Sequence, residues 1–98
     1  MTITKTVNGN AAILKITDML DTETAPELEA LLESSLAGIQ DLTLDFEELE
    51  YVSSAGLRVI LKAQKMMNAA GKMKIVHVNE SVMEIFEITG FTSILTIE

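Results

Sequence analysis

Residues 50–61 read Glu50-Tyr51-Val52-Ser53-Ser54-Ala55-Gly56-Leu57-Arg58-Val59-Ile60-Leu61 and join an acidic segment to the longest helical pattern of the chain. A serine directly before a helix is a good N-cap, because its hydroxyl accepts a hydrogen bond from an unpaired N–H group of the first turn. The same N–H groups and the positive end of the helix dipole also favour a phosphate. Residue types alone favour a plain capped helix, and the alternative is a phosphate-accepting switch.

The composition describes one folded domain over residues 1–98. Apolar residues make up 48% of the chain, which is enough for a single core. The absence of cysteine excludes a disulfide framework and thiol chemistry. No apolar run is long enough to span a bilayer, and residues 1–5 lack the apolar stretch of a secretory signal. We therefore expect a cytoplasmic protein without direct membrane insertion.

The net charge of −8 is unevenly distributed. Eleven of the 15 acidic residues lie between Asp18 and Glu50, a span without Lys or Arg. Such a charge disfavours non-specific nucleic-acid binding, which requires positive groups opposite the phosphates, and it leaves room for a basic protein partner. We expect no nucleic-acid ligand.

Outward from the central stretch, the pattern alternates strands and helices. Asn8-Gly9-Asn10 separates two strand-like runs, Ile3–Val7 and Ala11–Ile16, and predicts a hairpin. A helix over Thr22–Leu36 follows, with a capping box of Thr24 and Glu27 and its glutamates on a solvated face. The remaining predicted elements are a strand at Leu42–Phe46, a loop at Glu47–Glu50, a helix at Ser54–Ala70, a strand at Lys72–Val78, a helix at Glu80–Ile88 and a strand at Ile94–Ile97.

The order β-β-α-β-α-β-α-β predicts an α/β fold, with a mixed sheet, an opening antiparallel hairpin and helices packed on the sheet. The helix after the serines has Arg58, Lys62 and Lys65 on one narrow stripe. Its apolar arc is wider than one sheet contact requires. The arc is either core under neighbouring helices or a partner surface, and it consists of Leu57, Val59, Ile60, Leu61, Ala63, Met66 and Met67.

Catalytic and metal chemistry find little support. His77, the only histidine, lies in a strand pattern and not beside the serines, and no Cys/His set for zinc or phosphate-binding loop is present. Asp18, Asp21 and Asp45 lie near strand ends, where a solvated or capping role is favoured over a divalent-ion site. We expect no enzyme, no catalytic residue, no cofactor and no metal.

The chain resembles the STAS domain, and within it the bacterial anti-sigma factor antagonists. The resemblance runs nearly end to end, and residues 51–57, Tyr51-Val52-Ser53-Ser54-Ala55-Gly56-Leu57, look like the signature loop of that family. Weaker matches are Leu20-Asp21 with residues 24–28, residues 42–46, and Thr89-Gly90-Phe91.

The resemblance implies a binding protein that a serine kinase, itself the anti-sigma factor, phosphorylates on Ser54 and thereby releases. A phosphatase would restore the binding. Ser53 stands where many members carry aspartate and is a competing acceptor. The partner contacts implied are Asp21, Ser53, Ser54, Ala55, Gly56, Leu57, Arg58 and Leu61.

Two other hypotheses for the function remain. Some stand-alone STAS proteins are accessory subunits bound to the ATPase of a lipid or solute transport complex, where Ser54 would be a contact. A nucleotide-binding or enzymatic module is the third reading, without a phosphate loop to support it.

Overall fold

The chain opens with the antiparallel hairpin that the sequence predicts. In the computed structural model, which describes residues 1–98, β1 (Ile3–Asn8) pairs with β2 (Ala11–Ile16). Gly9 has a φ of 64°, in the left-handed region that glycine adopts without strain. The Asn-Gly signal therefore positions the first two strands correctly.

Parallel strands and three helices complete the fold. They are β3 (Asp18–Leu20), α1 (Ala25–Ser35), β4 (Asp41–Asp45), β5 (Leu49–Val52), α2 (Ser54–Ala70), β6 (Lys72–Val76), α3 (Glu80–Thr89) and a 3₁₀ turn (Phe91–Ser93). The main sheet has the order β1-β2-β4-β6, in which β4 is parallel to β2 and β6, while β3 and β5 form a separate parallel pair. The predicted mixed α/β class is confirmed. None of the helices has the length and apolar character that crossing a bilayer requires.

One face of the main sheet forms the core. Leu14 on β2, Leu44 on β4 and Ile75 on β6 are fully buried, whereas the alternate residue Ile13 is 45% exposed. Such alternation is typical of a sheet that helices cover on one side. The ring of Phe86 on α3 lies 6.4 Å from that of Phe46, which joins α3 to the end of β4.

The predicted element order is wrong in two places. The strands β3 and β5 were not predicted, because three and four residues are too few to show a period of two. The predicted last strand is reduced to a single bridge between Ile75 and Ile97, after the 3₁₀ turn.

The predicted start of α1 is also corrected. The helix begins at Ala25, and Thr24 makes no capping hydrogen bond. Its hydroxyl instead accepts a hydrogen bond from the Asp21 N–H (2.9 Å) and lies 2.9 Å from the Met19 carbonyl oxygen, to which it donates. The Thr24 side chain therefore closes the turn before the helix, and the capping box with Glu27 does not form.

The wide apolar arc of α2 is mostly core. Leu57, Val59, Ile60, Ala63 and Met67 are buried, while Leu61 and Met66 are half-buried. Gln64 is the one buried polar side chain; its Nε2 donates to the Asn68 Oδ1 (2.8 Å), but its Oε1 has no partner. An unpaired buried acceptor lowers stability.

We predict that Gln64→Met raises the free energy of unfolding by about 1 kcal/mol, because it removes an unpaired buried oxygen while keeping the side-chain length. Urea denaturation measures the change. Gln64→Glu is the matched control: it has the same shape but buries a charge, and it should lower stability. A Gln64→Met protein less stable than wild type would contradict this prediction.

Candidate functional site

The site is built on the short parallel pair of β3 and β5. Leu20 pairs with Val52, so both strands end at the same edge. The Ser53 N–H donates to the Leu20 carbonyl oxygen at 2.9 Å and extends this pairing by one residue. The turn that follows β3 and the first turn of α2 therefore meet.

Ser53 is the N-cap of α2. Its backbone is extended (φ −89°, ψ 176°), and its hydroxyl accepts a hydrogen bond from the Gly56 N–H at 3.4 Å. Its carbonyl oxygen accepts the first helical bond, from the Leu57 N–H at 2.9 Å. The helix cap expected from the sequence is confirmed and is provided by the first of the two serines.

Ser54 is the first residue of α2 and is exposed. Its hydroxyl takes part in no hydrogen bond, unlike that of the half-buried Ser53. The two adjacent hydroxyls thus differ in availability: one stabilises the helix start, and the other is open to a reactant from solvent.

Gly56 brings the first turn of α2 against β3. A Cβ atom at this position would lie 2.7 Å from the Leu20 carbonyl oxygen and 3.0 Å from the Val52 Cγ1. Gly56 is buried, and Leu57 is only 7% exposed. The structure therefore places these two expected contact residues on the core side of the loop, which they position.

The other expected contact residues lie around Ser54. Arg58 is exposed, while Ala55, Leu61 and Asp21 are half-buried. The Asp21 carboxylate accepts hydrogen bonds from the N–H of Thr24 (3.1 Å) and the N–H of Glu23 (3.0 Å). These hydrogen bonds, that of Thr24 first, lower the pKa of Asp21 and keep its carboxylate charged. Asp21 therefore has a structural role in shaping the turn beside the loop.

Sequence reasoning missed an apolar pair beside this loop. Met19 and Tyr51 are register partners on β3 and β5 and are 49% and 47% exposed. The buried neighbours Leu20 and Val52 complete a two-residue alternation on each strand. That alternation is the only signal, and it is too short to be recognised without the pairing.

The basic stripe of α2 is divided by ion pairing. Lys62 binds Glu29 (Nζ to Oε2, 3.0 Å) and Glu33 on α1, and the hydrogen bonds to Glu33 and Glu29 raise the pKa of Lys62. The side chains of Glu29 and Glu33 are still 43% and 56% exposed, so the glutamates of α1 lie on a solvated face as expected, and these two also bind Lys62. Arg58 and Lys65 have no carboxylate oxygen within 4.0 Å.

His77 is not in a strand, which corrects the sequence-based expectation. The strand β6 ends at Val76, and His77 has a φ of 59°, outside the range of β-structure. Its Nδ1 lies 2.9 Å from the Asp45 Oδ1 and 3.6 Å from the Glu47 Oε2. These three side chains are the donor set best placed for a divalent cation, with ligand atoms within 4.8 Å of one another. An ion pair of His77 with Asp45 fully accounts for the arrangement; Asp18 and Asp21 do not join it.

This ion pair should make stability depend on pH. The hydrogen bond to Asp45 raises the pKa of His77 above its ordinary 6.5, and the charges of Asp45 and Glu47 add to the effect. Partial burial opposes ionisation of Asp45, but the hydrogen bonds from His77 and from the Glu47 N–H outweigh it and lower its pKa below 3.8. The contribution of protonated His77 is thus complete below about pH 6.5 and is lost as pH rises through the raised pKa.

We predict that the urea midpoint of the wild type falls more between pH 6 and pH 9 than that of His77→Gln, because only the wild type loses a protonated histidine. Asp45→Asn should reduce the pH dependence in the same way. An equal fall in the wild type and in His77→Gln would show that the pair does not contribute.

We also predict that Gly56→Ala lowers the free energy of unfolding by about 1–3 kcal/mol, because its Cβ would overlap the Leu20 carbonyl oxygen. Helix propensity alone would favour alanine by about 1 kcal/mol, so the sign of the change is diagnostic. Urea denaturation measures it, with Ser54→Ala as a control two residues away on an exposed, unbonded side chain. A Gly56→Ala protein as stable as Ser54→Ala would contradict the close packing.

Comparison with known proteins identifies the family of this chain. The sequence profile of the STAS domain matches residues 2–98. The BtrV protein of Bordetella bronchiseptica is 36% identical over 81 residues, which cover 81% of this chain and 70% of that protein. The anti-sigma-B factor antagonist of Staphylococcus aureus is 31% identical over 84 residues, covering 84% of this chain and 78% of the relative.

A solved structure shares the fold. The phosphorylated form of the Bacillus cell fate determinant SpoIIAA aligns with 99% of this chain and 91% of its own, with a TM-score of 0.77 and 15% identity. The anti-sigma factor antagonist relatives are similar to this chain over 70% and 78% of their own length. Sequence profile, relatives and fold therefore agree that the chain belongs to the STAS domain family.

Proposed function

We propose that this chain is an anti-sigma factor antagonist that binds an anti-sigma factor with serine-kinase activity, and that phosphorylation of Ser54 ends the binding. The observation that carries the proposal is the exposed Ser54 hydroxyl, without a hydrogen bond, at the first residue of α2. The kinase would transfer the terminal phosphoryl group of a nucleoside triphosphate to this oxygen, releasing the nucleoside diphosphate and the hydroxyl proton. A phosphatase would hydrolyse the phosphate ester with water and restore the hydroxyl, releasing inorganic phosphate. The chain itself acts in the cytoplasm as a binding protein, not as an enzyme.

Local geometry favours Ser54 over Ser53 as the acceptor. The Ser53 hydroxyl already accepts the Gly56 N–H, so modifying it would cost the helix its cap, about 1 kcal/mol. Modifying Ser54 breaks no hydrogen bond of the fold. The competing-acceptor hypothesis for Ser53 is therefore the weaker of the two.

The charge of a phosphate explains how binding ends while the fold persists. A phosphate adds about −1.5 to −2 charge at neutral pH. At the start of α2 it gains about 0.3–1 kcal/mol from the helix dipole. In an interface, an unfavourable charge contact costs several kcal/mol, so the partner is released.

The relatives support this direction. The Staphylococcus aureus protein is named an anti-sigma-B factor antagonist, and SpoIIAA has been solved in a phosphorylated form. The exposed residues around Ser54, namely Arg58, Met19 and Tyr51, offer the partner one cation and an apolar pair.

We predict that Ser54→Asp binds the anti-sigma factor about 100-fold more weakly than wild type, because its charge lies inside the contact surface. Its thermal midpoint should stay within a few degrees of wild type, since a carboxylate suits a helix N-terminus. Ser54→Ala should bind constitutively. The measurement is capture from the native cell lysate, followed by titration of the recovered partner.

Ser81→Asp is the matched control, because Ser81 is an exposed serine in the first turn of α3 and the substitution adds the same charge at another helix start. It should retain the partner. Recovery of a transport ATPase by wild type and Ser54→Asp alike would contradict the proposal and support the transport-subunit reading. Melting of Ser54→Asp at a much lower temperature would show that the switch unfolds the chain.

A further inference from the structure

Arg58 lies one helical turn after Ser54 on the exposed side of α2. Side chains four residues apart on a helix have Cβ atoms about 5–6 Å apart. Helical side chains also lean toward the N-terminus, so the turn that begins with Ser54 is within reach of a guanidinium at position 58. An anion four residues before a cation is the more favourable order along a helix.

The guanidinium of Arg58 has no carboxylate partner. Arg58 and Glu29 line the same groove between α1 and α2, yet the Glu29 carboxylate is paired with Lys62. Lys62 also pairs with Glu33. Both α1 carboxylates that bind the stripe therefore bind Lys62, and in this strongly acidic chain the exposed Arg58 remains without a carboxylate partner one turn after the exposed Ser54.

We propose that Arg58 binds the phosphate of phosphorylated Ser54 within the same chain. The inference rests on the proposed function, since it concerns the phosphorylated form. The planar guanidinium can donate two parallel hydrogen bonds to two phosphate oxygens, the geometry in which arginine binds phosphate best.

Two consequences follow for the switch. Arg58 offsets about one of the 1.5–2 negative charges that the phosphate brings, so the modified helix start stays folded in an acidic protein. Phosphorylation also withdraws the only cation of the proposed contact surface, so the partner loses a favourable contact in addition to meeting a negative charge.

The pairing can be measured through the second ionisation of the phosphate. A cation bound to the dianion lowers this second pKa from its ordinary value of about 6. Carboxylates on the elements around the start of α2 act in the opposite direction: they are Asp21, Glu23, Glu27, Glu29, Glu33 and Glu50. Because these carboxylates are unchanged in every variant tested, a difference in phosphate pKa between variants measures only the effect of the cation that was removed.

The experiment uses the full chain with phosphoserine incorporated at position 54 during synthesis, titrated by ³¹P NMR at physiological ionic strength. We expect the second phosphate pKa to be lower in the Arg58-containing protein than in Arg58→Gln, by about 0.3–0.7 pH units. Lys65→Gln is the matched control, because it removes an exposed, unpaired cation from the same side of α2, about 16 Å along the helix from Ser54. That distance exceeds the screening length at physiological salt, so its pKa should match that of the protein with both cations.

Equal phosphate pKa values with and without Arg58 would overturn the inference, as would equal shifts in Arg58→Gln and Lys65→Gln, which would indicate only the general field of the protein. The titration needs neither kinase nor partner. It can therefore fail while capture of the anti-sigma factor succeeds, or succeed while capture fails, and the two proposals are tested separately.

Discussion

The contact between the first turn of α2 and the end of β3 is the constraint on which the site depends. Gly56 admits the Leu20 carbonyl oxygen where any Cβ would lie within 2.7 Å of it, and the Ser53 N–H donates to the same oxygen. With the helix held this close, Ser53 turns inward to cap it and Ser54 turns outward. Two neighbouring serines therefore differ in role: the Ser53 hydroxyl stabilises the helix start, and the Ser54 hydroxyl is accessible to solvent.

Electrostatics then distinguish residues of the same charge. Lys62 joins α2 to α1 through Glu29 and Glu33, as a structural ion pair, whereas Arg58 and Lys65 remain unpaired. Exposed ion pairs contribute little stability. The pairing of Lys62 matters more because Glu29 and Glu33 bind Lys62 and not Arg58. Glu29, which lines the same groove as Arg58, is bound to Lys62 instead.

Much of the fold could be predicted from the sequence, because its signals are local. Asn8-Gly9-Asn10 predicted the hairpin, and α2 has the expected bounds, Ser54–Ala70. The features that were not predicted depend on residues far apart in the sequence. The strands β3 and β5 form only by pairing with each other. His77 lies just beyond the end of β6, where its side chain contacts Asp45. For the site, the resemblance pointed to Ser54, but burial of Gly56 and Leu57 required the tertiary contact with Leu20.

The absence of any hydrogen bond at the Ser54 hydroxyl also has a kinetic meaning. A hydroxyl held inside the fold reacts only during a local opening, so its reaction rate contains the population of the open state. The Ser54 oxygen needs no such opening, because it is already exposed at the start of a capped helix. The pace of a modification cycle at this position would therefore be set by enzyme concentrations and encounter rates, which a cell can adjust, and not by the stability of the chain.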